Sequence, residues 1–225
     1  MINFAKIWDI LITKFPAFME GVEITLQLAF FTVLFGSLLG LVVAVCRRTR
    51  LLPLRWLMNA YVAFIRGTPL LVQVLLVVYG LPQLGIRFPR MTLCIIALVI
   101  NSGAYMAELI RAGLQSVEKG QVEAAESLGM SSGQTMLYII LPQAVKVTLP
   151  AMANEFVAII KESSILYAVG VYELTYQAYK LASVNYYYIE TMIVAALIYF
   201  VLTYVATKLL GLLERRMRRA DTSAA

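Results

Sequence analysis

Five apolar runs, each long enough to cross a lipid bilayer as a helix, constrain this chain more than any other feature. Residues 21–46 carry a single charged side chain, Glu23, and then meet Arg47, Arg48, Arg50 and Arg55 in quick succession. Further runs cover about residues 57–81, 91–112, 134–160 and 188–213. Crossing roughly 30 Å of hydrocarbon takes about 20 helical residues, so each run suffices for one span. The expected fold is an all-α integral membrane bundle of about five transmembrane helices, a single domain over residues 1–225. Its one substantial break in hydrophobicity is a loop at about 113–133.

With 61% hydrophobic and 14% charged residues, the chain is far more apolar than a soluble domain requires. Residues 1–18 mix Lys6, Asp9 and Lys14 into a short apolar stretch with no small-residue cleavage site after it. The first span is therefore expected to serve as its own insertion signal. The chain has no histidine, which removes the usual zinc and heme ligand sets and a Ser-His-Asp triad. Cys46 and Cys94 fall in or beside spans and take no disulfide or metal role. No catalytic residue and no metal site is expected.

The 19 Lys and Arg against 13 Asp and Glu could suggest nucleic acid, but the basic residues gather at the ends of apolar runs. That placement belongs to membrane topology rather than to a phosphate-binding face. One side holds Arg47, Arg48, Arg50, Arg55, Arg111, Lys119, Arg215, Arg216, Arg218 and Arg219; the other holds Lys6, Lys14, Arg87, Arg90 and Lys180. The richer side is expected to be cytoplasmic, which puts the N-terminus outside, the C-terminus inside and the 113–133 loop in the cytoplasm of a multi-pass cell-membrane protein.

Within the spans polar groups are few, and an ionisable group in lipid is costly unless paired or hydrated. Arg66-Gly67-Thr68-Pro69 interrupts the second span near mid-depth. Pro69 lacks a donor and Gly67 is a weak helix former, so a helix break is expected there that frees backbone groups toward a polar cavity. Gln73 follows one turn later. Asn101 and Glu108 are seven apart in the third span, with Tyr105 on the same side, and Glu155 and Glu162 are seven apart in the fourth. Two readings stay open. These groups line a central cavity for an amphoteric or cationic solute, or Arg66 pairs with Glu108 or Glu155 while Lys161 and Glu162 snorkel to the interface. Gly36 and Gly40 form a GxxxG that could seat two helices closely, or match by chance. Residues 163–187 are apolar at first and then broken by Glu173, Gln177, Lys180 and Asn185, as in an external or re-entrant helix packed on the bundle.

The loop itself mixes charge with small residues. Over 118–130 a helix would set Val122, Ala125 and Gly129 on one shallow face with Ala124 and Leu128 beside it, leaving Glu118, Gln121 and Glu126 wet. Gly129 suits a sharp reversal, and Ser131 offers an N-cap to the next helix. Such a helix could rest on the headgroups or sit in a groove of another protein. Its spacing, Glu123-Ala124-Ala125, then Gly129, then Ile139, Leu141 and Pro142, resembles the coupling loop of the membrane subunits of ABC importers. Arg66-Gly67-Thr68-Pro69-Leu70 with Gln73, Asn101-Ser102-Gly103-Ala104-Tyr105 with Glu108, and Lys161-Glu162-Ser163-Ser164 extend the likeness to the polar amino acid uptake family. There the last segment commonly reads Lys-Asp, so Glu162 reaches one methylene further. RGTPLLVQ and INSGAY most resemble glutamine-type permeases.

The resemblance implies a MetI-like permease subunit moving a polar amino acid, glutamine-like or basic. Its partners would be two ATP-binding subunits, a second permease chain, identical or a sister, and an external solute-binding protein. Glu123, Ala124, Ala125, Gly129, Ile139, Leu141 and Pro142 would couple to the ATPase; Gln73, Asn101, Glu108, Glu155 and Glu162 would meet solute. The chain carries no GxxxxGK[ST] loop, so ATP would be used by the partner, with no cofactor in this chain. The alternative is an ion-gradient-driven carrier or channel that uses Glu108 and Glu155 without an ATPase.

Overall fold

A computed structural model describes residues 3–222, with side chains described through residue 212. Among these the fold is helical throughout. In chain order the helices are α1 (Phe4–Thr13), α2 (Phe15–Cys46), α3 (Leu52–Arg66) and α4 (Leu70–Gln83), then α5 (Arg90–Gln115) and α6 (Lys119–Ser127). They are followed by α7 (Ser132–Val169), α8 (Leu174–Asn185) and α9 (Tyr188–Thr222). The side chains of Arg215, Arg216, Arg218 and Arg219, which enter the charge asymmetry, lie outside the described residues.

Four helices, α2, α5, α7 and α9, are each long and apolar enough to cross a membrane, and the bent pair α3 and α4 makes up to a fifth span. The second span is broken at Gly67–Pro69, where a helix break was expected, and it starts earlier than residue 57, at Leu52. The chain bends by 111° between its halves. Arg66 accordingly ends a helix rather than sitting at mid-depth in one. The first span also begins earlier than residue 21, at Phe15, because Pro16 enters the first helical turn where its missing N–H costs nothing. Residues 3–13, with no assigned element in the sequence reading, form the short helix α1, capped by the Asn3 side chain and packed on α9 through the buried Ile10.

The most extensive helix pairing is α2 against α5. Gly36 and Gly40 make it possible: a Cβ at Gly40 would lie 2.5 Å from the Met106 Cβ, and one at Gly36 would lie 2.9 Å from the Ser102 hydroxyl. The GxxxG is therefore a packing site. The opposite face of α2, with Phe31, Leu34, Phe35, Leu38 and Val42 at helical spacing, is exposed and apolar, as a lipid-facing surface must be.

Two helices widen to π geometry, at Leu76–Gly80 and Thr135–Ile140, and each widening ends at a Leu-Pro-Gln, Leu81-Pro82-Gln83 and Leu141-Pro142-Gln143. A proline denies its N–H to the carbonyl four residues back and crowds it; a π-turn hands that carbonyl to the next residue along. In α7 the helix runs on past Pro142, whereas α4 ends one residue after Pro82. At the end of α7, Ser163–Val169 tightens to 3-10 geometry, Gly170 reverses the chain at φ +73°, and α8 packs against α2 and α9. Residues 163–187 are thus the end of a long helix plus a second short one held on the bundle.

Candidate functional site

The loop helix α6 ends in a Schellman motif. Gly129, at φ +79°, donates its N–H to the Glu126 carbonyl at 2.9 Å, and Met130 donates to the Ala125 carbonyl at 3.1 Å. Ser131 then opens α7 with a reciprocal capping box to Gln134. These two devices back to back fix the turn from α6 into α7. Gln143, one residue past Pro142, donates to the Gln121 side chain at 2.6 Å and to the Ile139 carbonyl at 2.8 Å. That pair ties the first turn of α6 to the start of the regular part of α7. Ile139 is half-buried there, while Leu141 and Pro142 remain exposed.

The face that α6 presents differs from the one drawn from sequence. Ala125 is 3% exposed and Val122 half-buried, so these two pack inward on the chain itself. Glu123, Ala124, Ser127, Gly129 and Leu128, the last 84% exposed, form the outward surface. An exposed leucine beside alanine and glycine on a helix outside the spans is a shallow apolar knob. Ala125 therefore packs against its own chain.

Glu108 lies at the basic end of α2 and α5. Its carboxylate accepts from Arg47 at 2.5 Å and from Arg111 at 2.7 Å and 3.0 Å, with Arg66 at 3.8 Å. Arg47 also donates to Asn59 at 2.7 Å, and the Arg66 guanidinium lies 5.5 Å from the Tyr105 ring centre. Three helices, α2, α3 and α5, thus meet on one carboxylate. With both oxygens bonded by arginines, Glu108 is a structural hub and not a free solute ligand; sequence reasoning paired it with Arg66 but missed Arg47, whose position after Cys46 read only as a topology signal.

The break between α3 and α4 is mended by Gln73. Pro69 cannot donate to the Ile65 carbonyl, and the Gln73 amide does so instead at 2.8 Å, reaching the Thr68 hydroxyl at 2.8 Å as well. Its oxygen accepts from Asn101 at 2.9 Å. Gln73 is buried with all its polar atoms engaged, which makes it a staple behind the site rather than a solute contact. Asn101, held by it, lines an open cavity of about 420 Å³ together with Thr68, Tyr105, Glu162, Ser164 and Tyr167. Glu162 makes no hydrogen bond or ion pair among the described residues. Glu155, two turns earlier, does not line the cavity. Of the five candidates for solute contact, the structure brings Asn101 and Glu162 together on one cavity, puts Gln73 behind it, and sets Glu108 and Glu155 apart.

Thr175, at the start of α8, also borders this cavity. It is placed by Glu173, whose carboxylate accepts from the Thr175 and Tyr176 N–H groups at 2.9 Å and 2.8 Å and from the Tyr199 hydroxyl at 2.7 Å. Glu173 lies between candidate spans that end at Val169 and resume at Tyr188. Burial pushes its carboxyl up to about 7, against the pull of those hydrogen bonds.

The chain has counterparts among known proteins. Residues 36–219 match the family model described as binding-protein-dependent transport system inner membrane component. The chain is 43% identical over 212 residues to the probable glutamine ABC transporter permease protein GlnM of Bacillus subtilis (strain 168), covering 94% of this chain and 98% of that one. It is 37% identical over 211 residues to the arginine transport system permease protein ArtQ of the same organism, covering 93% and 96%. A solved structure described as an amino acid ABC transporter with histidines superposes with a TM-score of 0.89 at 45% identity, over 96% of this chain and 99% of that one. The chain belongs to the family of binding-protein-dependent transport system inner membrane components, and it is a multi-pass membrane permease of the ABC type.

Proposed function

We propose that this chain is a translocation subunit of an ATP-driven importer for a polar amino acid. A pair of permeases, identical or sister chains, would enclose the pathway, two separate ATP-hydrolysing subunits would dock on the basic side, and an external binding protein would deliver solute. The observation that carries this is the outward surface of α6: a helix closed at its C-terminal end by the Gly129 turn and tied to α7 by Gln143, that ends in Leu128, 84% exposed among the described residues.

Movement of α6 transmits to α7 through Gln121 and Gln143, and α7 carries Glu162 into the cavity. The nucleotide-driven subunit shifts the equilibrium only if it grips α6 differently in its two states. Glu162 supplies a carboxylate to a solute ammonium or guanidinium group, Asn101 supplies an amide, and Tyr105 and Tyr167 supply apolar faces. The solute is a glutamine-like or basic amino acid, in line with the names of the two Bacillus relatives.

Proteoliposomes test this. Uptake of radiolabelled glutamine or arginine is expected only when this chain is reconstituted with its ATPase subunit and ATP. Uptake by the chain alone, collapsing when an ion gradient is removed, would instead establish a gradient-driven carrier.

A further inference from the structure

Beside the Glu108 hub, a pocket of about 230 Å³ that shares no lining residue with the solute cavity opens between the ends of α2 and α5 and the middle of α3. Arg47, Arg48, Asn59, Arg111 and Gln115 provide its polar lining. Arg47 and Arg111 share one carboxylate, Glu108, with Arg66, while the Arg48 side chain makes no hydrogen bond or ion pair among the described residues. Positive charge therefore exceeds negative in the pocket.

The amides sharpen this. The Asn59 oxygen accepts from Arg47 at 2.7 Å and the Gln115 oxygen accepts from Arg111 at 2.7 Å. With both amide oxygens already engaged by arginines, what each amide has left is its NH2 group. A pocket whose acceptors are used and whose remaining groups are donors and guanidinium suits an anion with several oxygens. The pocket also sits where the apolar run of α2 stops, with Ala44 and Leu114 as its apolar wall and the exposed Leu41, Val45 and Trp56 nearby in the chain. Tryptophan and arginine at the end of a span mark the headgroup level of a bilayer.

We propose that this pocket binds the phosphate group of an anionic phospholipid, with Arg48 as its principal ligand, Asn59 and Gln115 as donors, and the acyl chains lying along the exposed face of α2. The site is separate from the amino acid pathway. It anchors the ends of α2 and α3 to the membrane while α6 and α7 move.

The test uses the permease complexed with its ATPase subunit, in nanodiscs of phosphatidylcholine with a minor fraction of phosphatidylglycerol. Co-purifying lipid is read by native mass spectrometry. Phosphatidylglycerol is expected to be enriched over its bulk fraction, to fall about fivefold in enrichment in Arg48→Gln, and to be largely kept in Arg48→Lys. Arg50→Gln, whose side chain does not line the pocket, should leave it unchanged. Inorganic phosphate is the second probe, added to the complex in phosphatidylcholine alone and followed by phosphorus NMR. Arg48-dependent broadening without any lipid enrichment would overturn a lipid as the source and leave a site for free phosphate. Equal losses in Arg48→Gln and Arg50→Gln would show diffuse surface charge and overturn the site, as would the absence of both effects.

Discussion

Gln143 and Gln121 are joined side chain to side chain at 2.6 Å, across the turn between the loop helix α6 and the long helix α7. This side-chain bond links the first turn of α6 to α7 directly after Pro142. Gln143→Ala removes it while keeping the Schellman and capping-box turns that fold the loop. The expected outcome is ATP hydrolysis at near wild-type rate in the reconstituted complex with uptake per ATP reduced several-fold, on the order of the loss of one hydrogen bond. Parallel measurement of phosphate release and labelled solute uptake checks it; an unchanged ratio would mean that α6 and α7 move together by packing alone.

Gly129 holds a positive φ of +79°, with open space where a Cβ would stand. Gly129→Ala therefore introduces backbone strain without a clash, about 1–2 kcal/mol. The strain falls on the end of α6, so the ATPase subunit should bind the variant about tenfold more weakly while insertion and melting temperature stay close to wild type. A pull-down titration against the ATPase reads the first and a thermal scan in detergent the second.

Glu108→Gln leaves Arg47, Arg66 and Arg111 gathered on a neutral amide. The groups are partly screened, so the loss is on the order of 2 kcal/mol rather than the larger cost of a fully buried pair. Melting temperature should fall, and solute affinity, measured by competition with labelled amino acid, should not change. Glu162→Gln is expected to do the reverse: little change in melting, and a loss of about tenfold or more in affinity for a basic amino acid.

Glu173 supplies a pH dependence. Its folded pKa, about 7, stands above the ordinary 4.5, so the folded state favours the proton. The associated stability is fully present below about pH 4.5 and is lost as pH rises through about 7, on the order of 3 kcal/mol at most. Melting temperature measured from pH 5 to pH 8 should decline in the wild type, and the decline should be shallower in Glu173→Gln.

The helical class and the number of spans are legible from apolar run length, because a bilayer leaves so few alternatives. Pro69 and Gly67 mark the place where the second span is interrupted, yet not the angle of 111°, which depends on Gln73 reaching back from the next helix to the Ile65 carbonyl. Asn101 and Glu162 lie on one cavity, though they are 61 positions apart in sequence and carry no shared pattern. Glu108 is hard to place because a lone carboxylate in a span looks the same in sequence whether it faces solute or three arginines, two of them from the ends of other helices. Ala125 is hard to place likewise: with apolar residues on two sides of a short helix, periodicity does not say which side the rest of the chain covers.

Cysteine cross-linking at Leu128 tests the central claim most directly. With Leu128→Cys in an otherwise functional complex, a bifunctional thiol reagent should join this chain to the ATPase subunit, and the yield should change between the nucleotide-free and ATP-bound states. A cross-link absent in both states, with the complex intact and transporting, would contradict the assignment of α6 as the element through which ATP drives movement.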